Sequence, residues 1–325
     1  MNWGTILDNT LSFMLSPETI GFMLAALGLA VHFGYAGLLN FGMAGFMAIG
    51  AYGYAISILS FGFPWWAAML VSIVGAVIFA ILLGIPTLKL RGDYLAIVTI
   101  AAAEIVRLLF QSRVFDEWTN SADGLGGYHD SFRSANPIPE GTFGIGPWEF
   151  TSDQWWSRLF GLFLVALGLL LVWLLMRSPW GRVLKGIRED EDAVRSLGKN
   201  VYLYKMQALI IGGVLGALGG VVIALPSAVI PQYYLPSLTF FVWTALLLGG
   251  AATLFGPILG AVLYWGVMAF LAGLLPAMAN EGWLPMSSTA AGNFRFVLVG
   301  LALMLLVAFR PQGLLGNKKE MTFVK

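Results

Sequence analysis

Apolar runs recur along the chain, and short polar or glycine-rich breaks separate them. A helix crosses a hydrocarbon core of about 30 Å with roughly 20 residues at 1.5 Å each. Runs near that length predict nine candidate spans, at approximately 19–34, 41–60, 65–86, 93–111, 158–176, 206–225, 238–254, 256–276 and 293–309. The stretch Gly34-Tyr35-Ala36-Gly37-Leu38-Leu39-Asn40 breaks the first two, so one of them is a candidate re-entrant segment. Little more than Gly256-Pro257 separates 238–254 from 256–276. That pair reads either as two spans or as a half-helix followed by a span. The pattern predicts an all-α integral membrane protein, a polytopic bundle of about 8–9 transmembrane helices with broken or re-entrant segments. Residues 1–325 read as a single transmembrane domain.

Composition agrees. Of the 325 residues, 58% are hydrophobic and 11% charged, against about 25% charged in ordinary soluble proteins. A globule this apolar could not cover its surface with polar groups. The net charge of +1 gives no field that points to nucleic acid. The lack of cysteine excludes disulfides, thiolate metal sites and a cysteine nucleophile. His32 and His129 are too few for a histidine-built metal site. Residues 1–18 lack Lys and Arg, so the basic start of a cleavable signal peptide is missing.

The basic residues orient the spans. Arg177, Arg182, Lys185, Arg188, Arg195, Lys199 and Lys205 lie in loop 177–205, Lys89 and Arg91 between spans three and four, and Arg310, Lys318, Lys319 and Lys325 at the C-terminus. The positive-inside rule places all three regions in the cytoplasm. With nine crossings the N-terminus and the loop 112–157 then fall outside. That outer loop carries Asp116, Glu117, Asp123 and Asp130 with few basic residues.

Within the spans, Gly212, Gly216 and Gly220 share one helical face, Gly42 and Gly50 bracket Phe46, and Gly256 pairs with Gly260. Such faces let helix backbones pack closely in lipid. Glu104 and Arg107 are spaced to pair along a helix, near the outer end of span four. His32 reads as a hydrogen-bonded packing histidine rather than a proton relay. Broken helices expose polar backbone, and transporters place them at binding sites. Asn40, with Gly42 and Gly45 after it, is therefore the candidate pathway segment. Pro226, Pro231 and Pro236 mark a second interruption, the pattern of a permease built from two related halves.

Loop 177–205 carries the clearest signal. Residues Glu189 to Leu197 predict a short surface helix, with acids at its start and Gly198 suited to a left-handed stop. Glu191 and Arg195 form an i,i+4 pair. Ala193, Val194 and Leu197 make a small apolar patch amid charge, a surface suited to a partner's groove.

Asp192-Ala193-Val194 followed by Gly198 resembles the coupling-loop motif of ATP-binding-cassette importer permeases, Glu-Ala-Ala followed by Gly, with Asp for Glu and Val for the second Ala. The motif's later apolar-proline element is not evident. The longer run from Gly181-Arg182 through Arg188, Glu189, Asp190, Glu191, Asp192 and Ala193 to Gly198 and Tyr204-Lys205 resembles LivM-type branched-chain amino-acid permeases. So do Gly37-Leu38-Leu39-Asn40-Phe41-Gly42, Leu90-Arg91-Gly92-Asp93-Tyr94, Asp123-Gly124-Leu125, Gly256-Pro257-Ile258-Leu259-Gly260 and Arg310-Pro311-Gln312-Gly313-Leu314. These lie in family order from about residue 20 to 316.

The resemblance implies an ABC importer permease in the inner membrane of a bacterium. It implies a second homologous permease chain, two cytoplasmic ATP-binding subunits that bind ATP and Mg, and an external solute-binding protein as partners. The segment around 189–198, with Arg188, Arg195 and Gly198, would seat in an ATPase cleft, and loop 112–157 would help receive the binding protein. The chain has no phosphate-binding Gly-x-x-x-x-Gly-Lys-Ser/Thr loop, so no cofactor is expected on it and it is not expected to be an enzyme. Urea and amide permeases of the same group look alike, so the resemblance leaves the substrate open. A self-sufficient secondary transporter would need carboxylates buried mid-span, and Glu104 is the one weak candidate. A membrane enzyme would need a polar catalytic cluster, and His129 beside Asp130 has no nucleophile or metal spacing around it.

Overall fold

The computed structural model describes residues 2–90, 92–310 and 312–316. Arg91, Pro311, Lys318, Lys319 and Lys325, used above, lie outside the described residues.

The chain opens with α1 (Trp3–Met14), a 12-residue helix that the span scan does not predict, since its apolar run is short and carries Asp8 and Asn9. It lies on a later helix through Ile6 and Thr10. Ser16 then accepts from the Thr19 N–H, with Pro17 at the first helical position, and starts α2 (Pro17–Leu29). A π-helical segment, Ala30–Tyr35, continues it to the predicted break. α3 (Met43–Phe61), α4 (Trp65–Thr87) and α5 (Gly92–Gln111) follow. Gly62, with φ +64°, stops α3.

The loop between α5 and the next long helix holds two one-turn helices, α6 (Asp116–Thr119) and α7 (Asp130–Arg133). It also holds a two-residue antiparallel pairing of β1 (Thr142–Phe143) with β2 (Phe150–Thr151). A capping box of Thr151 and Gln154 opens α8 (Ser152–Arg177). Then come α9 (Pro179–Glu189), α10 (Glu191–Ser196) and α11 (Val201–Ala224). The chain ends with α12 (Pro236–Gly249), α13 (Gly256–Asn280) and α14 (Ser288–Phe309).

Among the described residues, seven helices are long and apolar enough to cross a membrane, or eight with α5 and its 56° continuation to Thr119. The first two predicted spans, Pro17–Tyr35 and Met43–Phe61, both have span length. The half-helix reading applies instead to 238–254. At 14 residues α12 is about 21 Å long, short of a 30 Å core.

Two sets of contacts mark the two ends of the bundle. At one end Val229 pairs with Leu125 of the loop 112–151, and the Tyr128 hydroxyl donates to the Ala224 carbonyl at 2.9 Å. At the other, Leu314 and Leu315 donate backbone hydrogen bonds to the carbonyls of Leu248 and Gly249. The segment 225–249 therefore runs the length of the bundle as irregular chain followed by half a helix.

At the core α11 packs between α2 and α3. A Cβ on Gly212 would lie 2.4 Å from the Gly28 carbonyl oxygen, and one on Gly220 would lie 2.0 Å from that of Met47. The predicted glycine face is thus filled by neighbouring backbone. The exposed side chains of α4 (Leu70, Val74, Ile78, Leu82) and α8 (Leu159, Phe163, Leu167, Leu170) form apolar surfaces that suit lipid.

Candidate coupling surface and the break behind it

The block between α8 and α11 is built locally. Asp190 ends α9 and caps α10, its side chain accepting from the Ala193 N–H at 2.9 Å. Gly198 takes φ +74°, the left-handed geometry expected of it. Asn200 then caps α11 by accepting from Leu203 N–H at 3.2 Å. Ile187, Val194 and Val201 form a small core of their own under the turn. Val194 is therefore not part of the outward patch that the sequence suggests: it anchors α10, while Ala193 and Leu197, the latter 78% exposed, face out.

Charges fix the outer rim. Arg195 pairs with Glu191 at 2.8 Å and with Asp192 at 3.0 Å. Lys205 of α11 also donates to Glu191. Glu189 and Asp192 are exposed. The cleft beside this rim, about 730 Å³, is lined by Glu191, Asp192, Arg195, Lys199 and Lys205 on one side and Leu88, Lys89 and Leu90 on the other. Arg188 points the other way, and its guanidinium donates to the Gly34 carbonyl at the end of the first span. Lys185 lies 5.8 Å from the Tyr35 ring centre. The same block thus presents one face outward and holds the π-helical end of span one with the other. The sequence does not reveal this link, because Arg188 and Gly34 are 154 residues apart.

Behind it lies the break at Asn40. Asn40 and His32 are fully buried. His32 Nε2 faces the Leu209 carbonyl at 3.0 Å, which can only accept, so that nitrogen carries the proton. Nδ1 then accepts from the Asn40 amide at 3.0 Å. Asn40 Oδ1 accepts from Gly42 N–H at 2.8 Å, and its backbone carbonyl accepts from Trp243 Nε1 at 3.1 Å. The hydroxyls of Thr99 and Thr239 accept from Phe41 N–H and Ala44 N–H. The amides of the break and of the first turn of α3 are thus met by Asn40 within the break and by two other helices, α5 and α12. A Cβ on Gly42 would lie 2.5 Å from the Thr99 carbonyl oxygen, and one on Gly45 would lie 2.9 Å from Ala103 Cα. The candidate pathway residues Asn40, Gly42 and Gly45 therefore sit in a sealed helix crossing. Glu104 and Arg107 do pair, at 2.6 Å, and Arg107 also donates to Gln111 at 2.8 Å.

A bundle of span-length apolar helices, one half-helix and an ordered charged block at one end defines a multi-span membrane protein. Residues 14–308 match the family described as branched-chain amino acid transport system / permease component. The chain is 31% identical to the high-affinity branched-chain amino acid transport system permease protein LivM of Escherichia coli K12, over 93% of this chain and 71% of that one. It is 27% identical to the probable branched-chain amino acid transport permease protein LivM of Methanocaldococcus jannaschii, over 93% and 92%. It is 25% identical to the nucleoside ABC transporter permease protein NupC of Lactococcus lactis, over 85% and 86%. The solved structure of PsaBC from Streptococcus pneumoniae in complex with Fab aligns over 92% of this chain and 91% of that one, at 15% identity and a TM-score of 0.41. The chain belongs to the branched-chain amino acid transport system permease family.

Proposed function

We propose that this chain is the transmembrane subunit of an ATP-driven importer that moves branched-chain or similar hydrophobic amino acids inward by alternating access. The observation that carries the reading is the block α9–α10. It exposes Ala193, Leu197 and a charged rim, and it grips the end of the first span through Arg188. Such a body can pass the movement of a docked ATPase to the spans. In this reading two cytoplasmic subunits bind ATP and Mg, a second homologous permease completes the membrane part, and an external binding protein delivers solute to the face holding loop 112–157. The N-terminus lies outside and the C-terminus in the cytoplasm, on the positive-inside rule and the shared end of α9, Leu248 and Leu314.

The test is uptake by proteoliposomes holding the complex purified from its host through a tag on this chain. ATP-dependent accumulation of leucine that needs the binding protein supports the reading. Uptake without ATP by the chain alone would move it to a secondary transporter. Accumulation of nucleosides or urea in place of leucine would keep the importer and change its cargo. Gly198→Val strains the turn after α10 by about 1–2 kcal/mol and is expected to leave ATP hydrolysis running with uptake reduced severalfold. Unchanged coupling would remove α10 from the transmission route.

A further inference from the structure

Of the span-length helices, α14 is the least embedded. Among its described residues only Ala291 is buried, and it packs on α13 and, more sparsely, on α12. A groove of about 270 Å³ runs between the three helices. Leu248 of α12, Val267 and Leu271 of α13, and Leu298, Val299 and Leu303 of α14 give it an apolar wall. Thr244 and Tyr264 are its polar members. The Thr244 hydroxyl is already committed, donating to the Phe240 carbonyl at 2.8 Å. Tyr264 is only 2% exposed, and its buried hydroxyl has no hydrogen-bond partner. A buried donor left unmade is costly, and hydrocarbon supplies no acceptor.

A second such donor lies one turn along α14. Arg295, Leu298, Val299, Ala302 and Leu303 have the spacing of a single helical face. The Arg295 Nε is buried and has no hydrogen-bond partner. Its guanidinium carbon lies 5.0 Å from the Phe296 ring centre. Phe296 stacks on Phe241 at 5.9 Å, and Phe241 on Tyr264 at 6.0 Å, so a row of rings joins the arginine to the groove. The charge of Arg295 also acts on the Tyr264 phenol, so one polar group can serve both donors.

Depth narrows what that group is. From Phe296 to Phe309 α14 is apolar for about 21 Å, and Arg295 stands at the edge of that stretch. An arginine there reaches the level of lipid phosphates and is costly in hydrocarbon without an anion. One leaflet of hydrocarbon is about 15 Å deep. Leu298 to Leu303 lie about 4–12 Å below Arg295 at 1.5 Å per residue, the depth of an acyl chain hung from a headgroup at that arginine. Both orphan groups are donors, so the ligand carries acceptor oxygens, and a guanidinium suits phosphate.

We propose that the groove between α12, α13 and α14 binds one anionic phospholipid, its phosphate at Arg295, an ester oxygen facing Tyr264 and a chain along Val267, Leu298, Val299 and Leu303. The site is separate from the charged block and from the Asn40 crossing, and it does not rest on the importer reading.

The test uses the protein purified from its host with whatever chains accompany it, washed in detergent and titrated with phosphatidylglycerol or phosphatidylcholine. Native mass spectrometry reads the lipids retained. One phosphatidylglycerol per chain, held about fivefold more tightly than phosphatidylcholine, is expected. Arg295→Gln should weaken it by about tenfold and Tyr264→Phe, which removes only the hydroxyl oxygen, by about threefold. Ala302→Trp fills the groove and should abolish retention, while Leu167→Trp on the exposed face of α8 should leave it unchanged. Equal retention in the native protein and all four variants would overturn the site, as would the lack of a preference for phosphatidylglycerol. A crosslink from Val299→Cys to an accompanying chain would give the face to a protein and overturn it too. Arg295→Gln and Tyr264→Phe preserve the shape of the groove, so they decide the matter even where Ala302→Trp fails to fold.

Discussion

The protein breaks its helices at residues 36–42 and at 225–235, and the two breaks are finished in different ways. At residues 36–42 the amides of Phe41, Gly42 and Ala44 each meet a side-chain acceptor. At 225–235 the chain is tied at its first end, through Leu125 and Tyr128, and then alternates buried Pro231 and Tyr234 with exposed Gln232, Tyr233 and Leu235 before α12. Leucine 235, the cap of α12, offers no side-chain hydrogen bond. The contrast teaches that a broken helix in an apolar chain is not by itself a transport site. Side-chain acceptors tie the first break to other helices, while from Ile230 to Leu238 the second relies on local backbone bonds.

The sharpest way to break the comparison is Asn40→Leu. It strands the Gly42 amide and removes the donor to His32 in a dry site, at about 1–3 kcal/mol for each unsatisfied group. Loss of folded, monodisperse protein on detergent size exclusion is expected, and normal yield and melting temperature would mean that the crossing is not sealed. Trp243→Phe is gentler. It keeps an aromatic ring against Phe41, now 4.7 Å away and stacked, but deletes the hydrogen bond to the Asn40 carbonyl. About 1 kcal/mol of destabilisation is expected in thermal unfolding, and a loss as large as that of Asn40→Leu would show that the ring, not the bond, closes the break.

At the open interruption stability and activity should part. Tyr233 is 55% exposed, so Tyr233→Ala should change stability by less than about 0.5 kcal/mol while lowering leucine uptake severalfold. Full uptake with an altered melting temperature would reverse the contrast. The smallest effect concerns pH. Burial lowers the pKa of His129 below its ordinary 6.5, helped by nearby Arg133, while the Leu225 carbonyl and Asp130 oppose the shift. The docked loop therefore holds this ring neutral, and a released loop takes up a proton first. Docking is at full strength above about pH 6.5 and weakens as pH falls toward the lower native value. Limited proteolysis of 112–151 should quicken between pH 7 and pH 5 in the native chain but not in His129→Gln, and an equal increase in both would exclude this histidine.

Much of this architecture is legible in the sequence, because apolar length is a strong signal. The runs at 65–86 and 206–225 correspond closely to α4 and α11, and the prolines at 226, 231 and 236 flag the second interruption. Local chemistry is legible as well: Gly198 and the Glu191–Arg195 and Glu104–Arg107 pairs lie within one helical turn of their causes. Contacts across the chain are not. Asn40 stands out as polar in a break, but its partners include Trp243, 203 residues away, and only the fold brings the two together. The helix α9 is hidden by its charge, since its buried Leu184 and Ile187 are few among basic residues. Val194 looks like part of a docking patch until Ile187 and Val201 are seen to close over it.

The tie between Arg188 and Gly34 has a mechanical consequence. A hydrogen bond is lost once donor and acceptor separate beyond about 3.5 Å, so the tie can carry only small displacements. A contact of this kind is suited to act as a clutch between the charged block and the first span. Small displacements are carried across it, while larger ones let it slip and re-engage without tearing the packed glycine seam behind.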